Sequence, residues 1–239
     1  MSTQGCLTRR LQDAALYLDT FGDFRSSLSD AVSRQPRHLR IGVTMAGAAA
    51  AKMGPIDPAV RSAVNRTADV LANLGHDVRE VQLAYGAAAK ALTVRYLAGI
   101  AQSAREVDAP ELLQRNTRGM ATLGRAFPAP AVALAQRLGR QWGDEVHQKL
   151  DVDVLLTPVM TDVAPEIGRF AGKSGLATIL AMNAFYPYTA QWNHAGVPAV
   201  SLPAGTDDGG RPLAVQLIAQ RGADADLMSL AAHIEGRSV

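Results

Sequence analysis

The sequence predicts an α/β fold built around a mixed β-sheet, and three observations lead there. A strand-like run, a capped helical stripe and a second strand-like run follow one another within residues 39–83. The continuous apolar run Asp153-Val-Leu-Leu-Thr-Pro158 has the character of an interior strand. Two more strand candidates, Val197–Pro203 and Pro212–Ala219, flank a turn-rich connector that permits an antiparallel hairpin.

The elements in order justify that class. Leu7–Phe21 carries Leu7, Leu11, Ala14, Ala15 and Leu18 on one helical face. Ser26–Leu39 is polar, with Arg34, Arg37 and Arg40 around Pro36, and reads as a solvated connector. Leu39–Thr44 is a short buried strand, and the small-residue run Ala46–Ala51 suits a loop. Asp57-Pro58 opens a helix, because an Asp cap followed by Pro gives up no needed N–H. Val60, Val64, Ala68, Leu71 and Leu74 form its stripe and Gly75 its stop. Asp77–Leu83 alternates Val78, Val81 and Leu83 with polar neighbours, completing a β-α-β unit with an expected right-handed crossover. Ala84–Leu150 is helix-rich, with breaks at Asp108-Ala109-Pro110 and Phe127-Pro128-Ala129-Pro130. A loop runs from the strand at Pro158 to about Gly175, and a helix then reaches about Phe185. Asp224–Glu235 closes the chain as an amphipathic helix.

Composition narrows the function. The 239 residues are 48% hydrophobic and 19% charged, which suits one globular domain over 1–239 with a real core. Aromatic content is only 5%, so the core is expected to be built from small aliphatic side chains. A net charge of +2 gives no electrostatic ground for a nucleic-acid or anionic-membrane partner. Cys6 is the only cysteine, excluding an intrachain disulfide or a cysteine-based zinc site and suiting a reducing compartment. Met1–Leu18 lacks the pattern of a signal peptide. No apolar stretch approaches the roughly 20 residues that span a bilayer. The expectation is a soluble cytoplasmic protein.

Three separated stretches carry a family resemblance. The first is Gly5-Cys-Leu-Thr-Arg-Arg-Leu-Gln-Asp-Ala-Ala15. The second combines Arg40-Ile-Gly-Val43, Asp57-Pro-Ala-Val60 and Leu71-Ala-Asn-Leu-Gly-His-Asp-Val78. The third and most specific is Tyr188-Thr-Ala-Gln-Trp-Asn-His-Ala-Gly-Val-Pro-Ala-Val-Ser-Leu-Pro-Ala-Gly205, continued by Arg211-Pro-Leu-Ala-Val-Gln-Leu217. With Asp153–Pro158 and Ala164-Pro165 in order between them, the chain resembles the C-terminal half of an amidase-signature enzyme.

That resemblance implies an α/β/α sandwich around a mixed sheet, present here in part. It implies hydrolysis or transfer of carboxamides by a serine nucleophile, a second serine in a cis peptide and a lysine, without metal or organic cofactor. A buried lysine is neutral enough to take the serine's proton through the second serine, and backbone N–H groups of a glycine-rich turn hold the oxyanion. The family's Gly-Gly-Ser-Ser-Gly-Gly-Ser type of run has no match in this sequence, so no catalytic residue is assigned. The chain is therefore expected to be inactive alone, with a small amide substrate bound only once a catalytic half is supplied. Three readings stay open beside it: half of a split amidase completed by another chain, a subunit related to the glutamine amidotransferases, and a non-enzymatic remnant of a truncated gene. A sheet cut at this point is expected to expose strand edges and an apolar face, favouring aggregation or a homodimer.

Other candidates are weaker. Gly168-Arg-Phe-Ala-Gly-Lys-Ser174 has three residues between its glycines where a phosphate loop needs four, and Lys173 beside Ser174 does not make a nucleophile–base pair. His38, His76, His147, His194 and His233 show no metal-ligand spacing, and packing or surface roles are expected for all; only His194 lies in the best family stretch. Asp207-Asp208 reads as a turn that bonds its own backbone. Tyr188–Gly196 is expected to be a loop beside a substrate cleft. There the amides of Gln191 and Asn193 both donate and accept, and Trp192 offers an apolar wall.

Overall fold

The computed structural model describes residues 5–24, 26–48 and 54–235. Five strands form one sheet in the order β2-β1-β3-β5-β4: β1 (Arg40–Val43), β2 (Asp77–Glu80), β3 (Val154–Pro158), β4 (Ala199–Thr206) and β5 (Pro212–Ala219). β1 runs parallel to β2 and β3, whereas β5 runs antiparallel to β3 and β4. The sheet is mixed, as the sequence predicts. Helix α3 (Pro58–Asn73) makes the expected crossover from β1 to β2. The Asp57 carboxylate accepts the Ala59 N–H at 2.7 Å to start it, and Gly75, at φ +89°, lets the chain leave.

Strand β3 lies at the centre because it can bury both faces. Val154 and Leu156 join one core and Leu155 the other, as alternation along a strand requires. On β5, Leu213, Val215, Leu217 and Ala219 face the first core, and Ile218 faces the second. The first core is closed by α3 and by α9 (Asp224–Ile234), with α1 (Leu11–Phe21) and α2 (Leu28–Val32) packed behind α9. The second is closed through Val146 of α6 (Ala129–Leu150) and Trp192 of α8 (Ala190–Ala195). Helices on both faces complete the α/β/α sandwich.

Beyond that second layer, α4 (Gly86–Ser103), α5 (Arg115–Gly124) and α7 (Gly175–Phe185) form a helical lobe. Glycine sets its spacing. A Cβ on Gly124 would sit 2.0 Å from the Leu97 carbonyl oxygen, and one on Gly175 would sit 2.9 Å from the Met120 nitrogen. The expected break at Asp108–Pro110 appears as the end of α4 and a 3-10 turn at Pro110–Leu112, and the Pro128–Pro130 break separates α5 from α6.

Several boundaries differ from expectation. The polar stretch 26–39 is not merely a connector: it holds α2, which buries Leu28, Ala31 and Val32. Ser27 caps it by accepting the Asp30 N–H at 3.1 Å, and the Asp19 carboxylate adds to the cap from outside the segment, accepting the N–H groups of Leu28 (2.7 Å) and Ser29 (2.9 Å). Helix α1 starts at Leu11, leaving Leu7 exposed, because the Leu11 N–H donates to the distant Glu235 carboxylate at 2.8 Å. Strand β2 ends at Glu80, three residues before the expected Leu83 end. β4 continues past Pro203 to Thr206 across an irregularity in its pairing with β5. Of the Ala46–Ala51 run, residues 49–51 lie outside the described residues.

β2 and β4 are the two edges of the sheet. On β4, Ala199, Ser201, Pro203 and Gly205 are exposed while Leu202 and Ala204 point into the core. Pro203 on this edge has no N–H to donate to a further strand. The uncovered side of β4 carries small residues, and no large apolar side chain lies on it.

Candidate functional site

Helices α4, α5, α7 and α8 surround a cleft of about 820 Å3, within the range of small-molecule sites. Leu92, Tyr96 and Ile100 come from α4, Met120 from α5, and Ile179 and Met182 from α7. Three amide side chains also reach its lining: Asn116 of α5, Asn183 of α7 and Asn193 of α8. None of the described lining residues is Asp, Glu, Lys, Arg or His. Helix α7 is apolar nearly all round: Thr178 and Ile179 pack inward while Leu176 and Leu180 remain exposed.

A buried polar network braces the cleft where β1 and β3 end. Gln216 of β5 donates from Nε2 to Thr157 Oγ1 at 3.2 Å and to the Tyr188 carbonyl at 3.0 Å. Tyr188 in turn donates its hydroxyl to the Met45 carbonyl at 3.0 Å, and Tyr85 donates to the Ala46 carbonyl at 2.8 Å. Gln191 Nε2 donates to the Tyr85 oxygen at 3.4 Å, and the Ala48 N–H donates to the Pro187 carbonyl at 2.8 Å. The segment leaving β1 is thus tied to the chain entering α8, and Ala48 lines the cleft. Ligands of open α/β sheets sit outside the carboxyl ends of strands, which is where this network lies. Burial pushes the Tyr188 phenol up to about 12 and the Tyr85 phenol higher still. Both remain protonated donors near neutral pH, fit to hold backbone and unfit to act as bases.

The three residues singled out in the sequence separate. Asn193 reaches the cleft lining, beside Thr189 and Ala190. Trp192 instead turns into the second core, 1% exposed, stacked 5.2 Å from Trp142, which stacks 5.2 Å from Tyr85. Its Nε1 is buried with no hydrogen-bond partner among the described residues. Gln191 is buried in the network. The stretch Tyr188–Gly196 is therefore not a loop: residues 190–195 are helical, ended by Gly196 at φ +69°. Its inward face mixes Gln191 and His194 with Trp192 and Ala195, and that polar content hid the helical period. Arg221 holds the helix end, donating to the carbonyls of Ala195 (2.7 Å) and Gly196 (2.6 Å) and bonding Asp144 at 3.0 Å.

His194 is 1% exposed, and neither ring nitrogen has a hydrogen-bond partner among the described residues. Burial and then the charge of Arg95, which donates to the His194 carbonyl at 2.7 Å, push the imidazole down to about 4. It packs where Gly139 of α6 leaves room, since a Cβ there would lie 2.5 Å from Nε2. His147, also buried, faces the Ile218 carbonyl at 3.3 Å. Asp207 behaves as the turn reading expects, accepting from the N–H groups of Gly209 (3.0 Å) and Arg211 (2.7 Å). The Gly168–Ser174 stretch is a turn feeding α7, whose start Ser174 caps by accepting the Ala177 N–H at 3.3 Å.

Most of the cleft escaped the sequence reading. Tyr96, Met120, Ile179, Met182 and Asn183 lie in plain helical patterns without a motif. The one available signal was an α7 too apolar for a surface helix.

The Amidase family model matches residues 1–228, and the chain belongs to the amidase family. It is 31% identical over 246 residues to "Putative amidase AmiB2" of Mycobacterium tuberculosis, covering 98% of this chain and 52% of that protein. It is 28% identical over 272 residues to 6-aminohexanoate-cyclic-dimer hydrolase of Paenarthrobacter ureafaciens, covering 98% and 53%. Among solved structures, 6-aminohexanoate cyclic dimer hydrolase superposes with a TM-score of 0.73 at 24% identity, over 95% of this chain and 53% of that one. A glutamyl-tRNA(Gln) amidotransferase subunit of Thermotoga maritima does so with 0.66 at 25% identity, over 98% and 52%. The chain thus spans about half the length of the relatives it matches. Among the described residues, no helix is long and apolar enough to cross a membrane.

Proposed function

We propose that these residues form the substrate-cleft portion of an amidase that hydrolyses a carboxamide to a carboxylate and ammonia or an amine. The observation that carries the reading is the cleft itself: the stretch most like the family, Tyr188–Gly205, delivers Asn193 to a cavity of substrate size. Asn193 supplies a group that both donates and accepts, while the Tyr85–Gln191–Tyr188–Gln216 network fixes α8 against the sheet. Trp192 serves as an internal brace, and Gln191 acts through Tyr85.

The nucleophile and its base lie outside these 239 residues, which contain no Gly/Ser-rich run of the family type. On this reading the chain alone turns over no amide. Hydrolysis appears when the catalytic half of a relative such as AmiB2 is supplied, fused or as a second chain. The test is amide hydrolysis by the 239-residue chain with and without that half, each with a serine-directed inhibitor. Inhibitor-sensitive turnover only in the combined sample is expected. Inhibitor-sensitive turnover by the 239 residues alone would overturn it.

A further inference from the structure

A second groove, of about 680 Å3, runs along a different face of α4 from the cleft, where the end of α5 and the start of α6 meet that helix. Arg95, Gln102 and Arg105 recur at helical spacing along α4 and the turn after it, so they share one side. Arg125 ends α5 and joins them, because Gly124 beside it has no Cβ to hold the two helices apart. Gln136 of α6 adds a second amide.

The charge of this groove is not balanced from within. Every Asp and Glu of the chain is among the described residues, and none of them lines it. Glu106 accepts from Gln102 Nε2 at 3.3 Å, outside the lining. The Arg105 and Arg125 guanidinium groups have no hydrogen-bond or ion-pair partner among the described residues. Arg95 is half-buried and donates to the His194 carbonyl at 2.7 Å. Burial and then the charge of Arg140 disfavour its protonated form. The ends of α4 and α5 offset roughly half a charge each, while the start of α6, without a side-chain cap, adds roughly half a positive charge. The groove stays cationic.

We propose that this groove is a binding site for a multiply charged phosphate-class anion, free or carried as a phosphate ester. A dianion there relieves the mutual repulsion of the arginines, and guanidinium N–H groups pair with phosphate oxygens in strong charge-assisted bonds. Phe127 in the lining offers an apolar wall to the organic part of an ester. All of these groups belong to this chain, so the site does not depend on a catalytic half.

Pyrophosphate, inorganic phosphate and phenyl phosphate are the probes. Each is titrated into the 239-residue protein near pH 8 and followed by phosphorus NMR, in about 0.15 M chloride to screen loose surface attraction. Saturable binding of pyrophosphate is expected. The double variant Arg105→Gln/Arg125→Gln should weaken it at least about tenfold. Arg34→Gln, which removes the exposed partner of Asp30 in α2, should leave it unchanged. Phenyl phosphate binding more tightly than inorganic phosphate supports the site as one for an ester; equal or weaker binding supports it as one for the free anion. No saturable binding of any of the three overturns the site. So does a loss in the double variant no larger than in Arg34→Gln, which would reduce the effect to general attraction by a basic protein.

Discussion

The sheet and the helical lobe are built on opposite principles. Around β3, Val154, Leu155 and Leu156 are essentially inaccessible, and their neighbours on β1 and β5 are large aliphatic side chains at alternate positions. In the lobe of α4, α5 and α7 the buried apolar cluster is Leu97, Met120 and Ile179, and the helices approach through Gly124 and Gly175. The first region spends its apolar residues on closing a core, and the second leaves a cleft. The difference teaches where this protein keeps its scaffold and where it keeps its adaptable surface, a division common to α/β proteins that bind small molecules.

Truncation experiments break or sharpen that division. Leu156→Ala, in the fully packed core, should cost about 4 kcal/mol in urea unfolding, since the cavity cannot collapse inside a sheet. Gly124→Ala should cost about 3 kcal/mol, because the new methyl meets the Leu97 backbone and α4 must move away from α5. Met120→Ala, at the edge of an existing cavity, should cost only about 2 kcal/mol. A Met120→Ala loss as large as that of Leu156→Ala would erase the distinction.

A smaller effect follows from pH. The His194 imidazole is held down to about 4 from an ordinary 6.5, so the unfolded chain binds the extra proton between those values. Stability is then full above about pH 6.5 and falls as pH drops toward 4, with buried His147 and His76, both shifted downward by burial, acting in the same direction. His194→Asn should flatten the slope of thermal midpoint against pH in that window, and an unchanged slope would show that His194 does not contribute. A second fall is expected between about 4 and 2. There Asp153, which partial burial pushes upward but which the Arg40 side chain and N–H and the charges of Arg37 and Arg40 hold at about 2, takes its proton. The smallest effect belongs to the surface pair of Lys149 and Glu145: Lys149→Ala should change stability by less than about 0.5 kcal/mol.

How much was legible follows the same division. The β-α-β unit, the interior β3 and the β4–β5 hairpin were readable because burial on a sheet writes itself as alternation or as an unbroken apolar run. Helix α2 was not, since it is only five residues long and too short to show a period, although its cap, Ser27 accepting the Asp30 N–H, is local. Nor was α8, whose inward face carries Gln191 and His194, polar groups that periodicity assigns to solvent. Asn193 could be picked from its motif, but the partners that make a cleft of its surroundings come from α4, α5 and α7 and meet only in three dimensions. Trp192 shows the converse: a residue conspicuous in a motif can be a brace.

The most direct test of the scaffold-and-cleft account is hydrogen exchange of the 239-residue protein, followed element by element. The account predicts the slowest exchange in β1, β3 and β5, where the core is closed, and faster exchange in α4, α5 and α7, which border the cleft. Exchange in α4, α5 and α7 as slow as in β3, or slower, would contradict it.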